Sequence, residues 1–172
     1  MKLLLLLLMA FGIISQADNG IKNVSKHRLG EKTGLHMNER ISGIWKLKED
    51  TNSHNYFVLQ NDDAEKDFVI TYMNRGGDNR GLEHGTLYFL DLNGSKYMAC
   101  SNWNWQHSGW IFLKVSQVGK FDITAQLVVD TNIHKMKSSE ELRAHFVKNA
   151  NNPAFVGDTL HFRKKFTFND WR

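Results

Sequence analysis

Covalent and conformational reinforcement is what this chain has least of: its 172 residues hold one cysteine, Cys100, and one proline, Pro153. One cysteine excludes an intramolecular disulfide, so the core has to hold the fold by itself. Cys100 lies inside an apolar run, which predicts a buried, inert thiol rather than a nucleophile. Without prolines or disulfides to protect strand edges, closure into a barrel is the way to remove them. Catalytic and metal-binding motifs are missing too. The eight histidines form no His-Glu-x-x-His, no i,i+4 pair and no cluster with cysteine at metal spacing. There is no Gly-x-Ser-x-Gly elbow, and the acids Asp62, Asp63, Glu65 and Asp67 lack the spacing of a calcium loop. With no acid–base or nucleophile constellation to name, the expectation is a non-enzymatic protein without catalytic residues, metal or cofactor.

Charge of one sign is scarce as well. The formal net charge is +4, with Lys and Arg scattered among acids except in Arg163-Lys164-Lys165. That suits a solvated surface, or weak attraction to anionic lipid or polymer, and argues against a nucleic-acid partner. Long apolar runs are confined to the start. Met1-Lys2, then Leu3 to Ile14, then Ser15-Gln16-Ala17 reads as a secretory signal peptide cut after Ala17. The run is shorter than the roughly 20 residues a membrane span needs. Export to the periplasm or medium, with no integral membrane segment after processing, is therefore expected. Residues 18–41 are polar, hold His27 and His36, and read as a flexible arm. Residues 42–172 are enough for one core and one domain.

Strand patterns fill that domain. Ser42-Gly43-Ile44-Trp45-Lys46-Leu47-Lys48-Glu49 is the first, followed by 54–60 and 67–73, rich in β-branched and aromatic residues. A polar glycine-rich connection, 74–81, leads to Gly85 to Leu92, the turn Asn93-Gly94, and Ser95 to Ser101. Asn-Gly between two strand patterns is a strong hairpin signal, since both turn residues take positive φ. The implied register pairs Leu92 with Ser95, Leu90 with Tyr97 and Tyr88 with Ala99 on one face. On the other face it pairs Asp91 with Lys96, Phe89 with Met98 and Leu87 with Cys100. Both faces are apolar away from the turn, so the hairpin needs a barrel interior on one side and a helix, loop or second subunit on the other. Further strands are expected at 110–115, at 121–129, with Phe121, Ile123, Ala125, Leu127 and Val129 on one face, and at 158–168. In the last, Leu160, Phe162, Phe166 and Phe168 oppose His161, Arg163, Lys165 and Thr167. Ser138 to Phe146 opens as a capped helix: Ser138 and Glu141 fit a capping box, and Leu142, Phe146 and Val147 form its apolar face. The fold class is thus all-β, an antiparallel barrel of about eight strands with one helix before the last strand.

With Gly43-x-Trp45 at the start of the first strand, this layout resembles the calycins, the lipocalins and their small bacterial relatives, over residues 42–168. The resemblance implies a lipocalin-like barrel in which Trp45 closes one end and a late Arg packs across it as a cation–π contact. Arg163 is the candidate. In lipocalins that Arg precedes the helix, whereas Arg163 follows it. The resemblance also implies a small apolar or amphipathic ligand, since an eight-stranded barrel just encloses one. Candidate ligand-binding residues are Trp103, Trp105, Trp110, Tyr88 and Tyr97. Three tryptophans within eight residues line a ligand mouth, stack on a sugar or form a protein hot spot, unless one or two are simply core and the others rim. The tyrosines, with Tyr56 and Tyr72, would set hydroxyls in a barrel pocket or be ordinary half-buried strand residues. The reading from another class is a protein–protein interaction or inhibitor module, its barrel filled by Phe and Leu, docking through its Trp-rich surface.

Overall fold

The computed structural model describes residues 24–30, 41–50, 55–62, 67–74, 83–102 and 109–166. Eight antiparallel strands form a closed barrel in which each strand pairs with its sequence neighbours and the last returns to the first. They are β1 (Gly43–Leu47), β2 (Asn55–Asp62), β3 (Asp67–Asn74), β4 (Glu83–Leu92), β5 (Ser95–Asn102), β6 (Gly109–Val118), β7 (Asp122–Val128) and β8 (Val156–Phe166). One helix, α1 (Ser139–Asn149), lies between β7 and β8. A barrel of eight strands has an interior that side chains can just fill.

The β4–β5 hairpin takes the register that its turn dictates, with Leu87 opposite Cys100, Phe89 opposite Met98 and Asp91 opposite Lys96. Asn93 and Gly94 have φ of 51° and 82°, the left-handed pair that a two-residue loop requires. The N–H of Gly94 donates to the Asp91 carboxylate at 2.7 Å and locks the turn.

Alternation sorts the side chains into two separate cores. The inner one fills the barrel and includes Trp45, Leu47, Phe57, Phe68, Leu87, Phe89, Met98, Leu113 and Phe162. The outer one lies on the outside of β4–β6, where Tyr88, Leu90, Tyr97, Ala99 and Phe112 are covered by Leu142 and Phe146 of α1, by Ile133 and Phe155 beside it, and by Leu29. Of the covers the pattern left open, a helix, a loop or a second subunit, the second apolar face of the hairpin has the helix, with Leu29 beside it. Ser138 caps α1 by accepting from the N–H of Glu141 at 3.2 Å, while the Glu141 carboxylate reaches past the cap to the Lys137 N–H at 2.9 Å.

Four readings change. Within the stretch taken for an arm, residues 24–30 are laid against the barrel: Ser25 exchanges backbone hydrogen bonds with Trp110 at 2.9 and 2.7 Å, and Leu29 is fully buried. The strap takes the side of Trp110 that β7 leaves free when it ends at Val128 and the chain departs towards α1. Phe121 is half exposed in the β6–β7 turn with the Lys120 ammonium over its ring, because β7 begins only at Asp122. Val147 is exposed, since α1 turns only Leu142 and Phe146 to the outer core. The last strand carries a third inward residue besides Leu160 and Phe162: Lys164, which is buried.

Candidate functional site

The strand directions separate two ends. The β2–β3, β4–β5 and β6–β7 connections share one end with the start of β1 and the finish of β8. The longer connections, 48–54, 75–82, 103–108 and the excursion 129–155, share the other.

At the short-turn end, Trp45 is buried beside the core, and its indole N–H donates to the Ile41 carbonyl at 2.7 Å. The cation over its ring is Lys164, whose Nζ lies 5.2 Å from the ring centroid and donates to the Ser42 carbonyl at 2.8 Å. The assignment to Arg163 is thus corrected. Strand parity sends 160, 162 and 164 inward and 163 outward, and Arg163 is exposed on the outer wall. Parity along β8 was readable from the sequence and would have chosen Lys164 from the basic triplet.

Between Trp45, Phe57, Phe162, Met98, Cys100 and the aliphatic side chains around them lies a cavity of about 40 Å³. Every side chain lining it is apolar or sulfur-bearing. A water needs about 10–15 Å³ and several polar partners, so the void has room for a few waters and nothing to hold them. An engineered apolar cavity that takes benzene is about 150 Å³. Cys100 is wholly buried against this void, and burial pushes its thiol up to about 12. It is the inert thiol its sequence setting called for.

Tyr88, Tyr97 and Trp110, expected at a ligand pocket, stand on the outside of the barrel. Tyr97 packs edge-on against Phe146 of α1 at 5.2 Å between ring centroids. Tyr88 packs against Trp110 at 5.3 Å, and the Arg28 guanidinium lies over both, 5.6 and 5.0 Å from their centroids. Burial raises the Tyr88 phenol to about 12, against the opposing pull of the neighbouring Arg28 charge, so it stays protonated at any physiological pH. The physical reason is parity again: Leu87, Phe89, Met98, Cys100 and Ile111 claim the inward positions, and their neighbours must face out. Of the four tyrosines, Tyr72 is the one in the inner core, and Tyr56 is half-buried on the outer wall. Trp103, Trp105 and His107 lie outside the described residues.

Known proteins give no further guide. The chain matches no family profile, no curated protein and no solved structure.

The remaining polar pair ties α1 to the barrel. His145 donates from Nε2 to the Asp130 carboxylate at 2.7 Å. Burial works against the charge on Asp130 but is outweighed by the Asn132 N–H and by His145, so its carboxyl sits below the usual value. No nucleophile stands beside this pair among the described residues, and no group of three His, Cys, Asp or Glu side chains there converges on a point that would hold a metal. The strap that seals the outer wall was missed, because Val24 and Leu29 are isolated apolar residues in a polar stretch and form no period.

Proposed function

We propose that this protein is an exported, non-enzymatic interaction module, a filled lipocalin-like barrel that binds a protein partner at its long-connection end. The observation that carries this reading is the size of the interior. Sites for organic ligands have volumes of about 300–1,000 Å³, and the barrel encloses about 40 Å³. An amphipathic molecule has neither room nor a polar anchor there. The outer wall over β4–β6 is occupied by the chain's own helix and strap. The reading assigns recognition to the barrel end from which the longer connections leave, one of them carrying Trp103 and Trp105 in its sequence, the residue type that dominates protein hot spots.

The test is paired. Replacing Trp103 and Trp105 by Ser should change folding stability by less than about 1 kcal/mol while weakening capture of the natural partner at least tenfold. Native mass spectrometry of the protein purified from its host identifies that partner. Unfolding of the double variant on expression would make these tryptophans core residues and defeat the reading.

A second reading, binding of a small apolar ligand, draws on one observation: the void is lined wholly by apolar and sulfur-bearing side chains. It is confined to molecules of a few heavy atoms. Methyl NMR shifts at Ile111, Leu113 and Met98 on adding xenon or a small hydrocarbon would support it, and unmoved methyls would remove it.

A further inference from the structure

The outer wall of β1 and β8 carries a feature that neither reading uses. On β8, Arg163 and Lys165 are exposed; beside them Lys46 is the outward residue of β1, and Lys48 is exposed in the turn that follows β1. Lys46 stands directly opposite Arg163 in the register. Like charges placed opposite each other on a sheet are destabilising, whereas opposite charges at the same positions would add stability. Among the described residues none of these four cations is in an ion pair. Two carboxylates, Glu49 and Asp122, border these cations. Glu49 accepts from the His161 backbone N–H at 3.2 Å and lies 3.9 Å from its ring. Asp122 pairs with Arg163 in the β7–β8 register without forming an ion pair with it.

The row continues with an aromatic residue. Trp45 is opposite Phe57 and Lys46 follows Trp45, so the outward neighbour of Lys46 on β2 is Tyr56, which is half-buried. Alternate residues on a strand are about 6.7 Å apart and neighbouring strands about 4.8 Å. The result is a strip along β1, the turn after it and β8, with four cations that form no ion pair among the described residues and a phenol ring along one border.

We infer that this strip binds a linear acidic polysaccharide, with Lys46, Lys48, Arg163 and Lys165 meeting its carboxylates and Tyr56 lying against a sugar ring. The narrowness of the strip favours a single extended chain over a membrane, whose broad anionic surface would also meet Asp122 and Glu49. One aromatic side chain is too few for single-stranded nucleic acid, which stacks successive bases on several.

The experiment uses the full chain and a fluorescein-labelled polygalacturonate oligosaccharide, read by anisotropy across a salt series. The double variant Lys46→Gln/Arg163→Gln should bind at least tenfold more weakly than the parent and show a shallower salt dependence, because fewer counterions are exchanged. Lys96→Gln/Lys148→Gln, which removes two exposed cations elsewhere, should bind like the parent. Tyr56→Ala should weaken the oligosaccharide about threefold and leave labelled polyglutamate unchanged. Because the first variant relieves a like-charge pair, its thermal midpoint should equal or exceed that of the parent, which separates lost binding from lost folding. Equal binding by the two double variants overturns the site. Tighter binding of oligothymidylate or polyglutamate than of the oligosaccharide overturns the ligand class. Neither result bears on the partner proposed for the long-connection end.

Discussion

Trp45 ties together three features of the barrel end. Its ring borders the interior void, its N–H holds the Ile41 carbonyl, and the Lys164 ammonium lies over its face. Lys164 is thereby placed at the barrel end with a carbonyl and a π-face as partners, which compensates part of the desolvation of a buried cation. Trp45→Ala should lower stability by about 3–5 kcal/mol, as for other large truncations in a core, measured as a shift in denaturant midpoint. An unchanged midpoint would mean that the end is sealed without it. Cys100 gives a second prediction at this scale. With its thiol at about 12 and no exposure to solvent, the thiolate is negligible at pH 8. A thiol reagent should label it in the native protein only as fast as the barrel opens. Labelling faster than measured unfolding would place Cys100 at a surface. The inert thiol was legible because its apolar neighbours are contiguous in sequence. The partner of Trp45 is Lys164 rather than Arg163 because, of the basic triplet, only Lys164 shares parity with Leu160 and Phe162.

Elements form here where local signals and burial agree. The β4–β5 hairpin was readable to the residue, because Asn-Gly admits one two-residue loop and the loop fixes every pair beyond it. Helix α1 was readable through Ser138 and Glu141. Its outward-facing Val147 was not, because an 11-residue helix with two strong anchors leaves the third free to point away. The strand starting at Asp122 rather than Phe121 is a turn effect: the Gly119 N–H bonds the Asp122 carbonyl at 2.7 Å, which keeps Phe121 inside the turn. The tie between α1 and the barrel carries a pH prediction. Asp130 is held below its ordinary value in the folded state, so its contribution is complete at neutral pH, above the unfolded value. It is lost as pH falls through the lower folded value. Asp130→Asn should therefore cost about 1 kcal/mol at pH 7, a charged hydrogen bond discounted for solvent screening. The gap between variant and parent should narrow as pH falls through that lowered folded value. A gap independent of pH would assign the effect to packing rather than charge.

At the scale of the whole molecule, the closed sheet stands between two cores that share no residue. The inner core holds all eight strands together. The outer core fastens α1, its flanking turns and Leu29 of the strap to β4, β5, β6 and the end of β7, while Val24 of the strap packs against the inner core. Regions opening below the global free energy are those with fewer buried contacts, so the outer layer should loosen before the barrel does. Leu29 is the probe for this. It is the strap residue fully buried in the outer core, and it touches none of the inner one. Leu29→Ala should cost about 2–4 kcal/mol if the outer layer unfolds with everything else. If the layers are separable, the global transition should move much less, and hydrogen exchange should rise locally. The expected result is the second: faster exchange at Trp110, through 128–155 and at the strap itself, with the amides of β1, β2 and β3 protected as in the parent. A uniform rise across both layers would show one cooperative unit, in which the outer wall seals the barrel as firmly as its own hydrogen bonds close it.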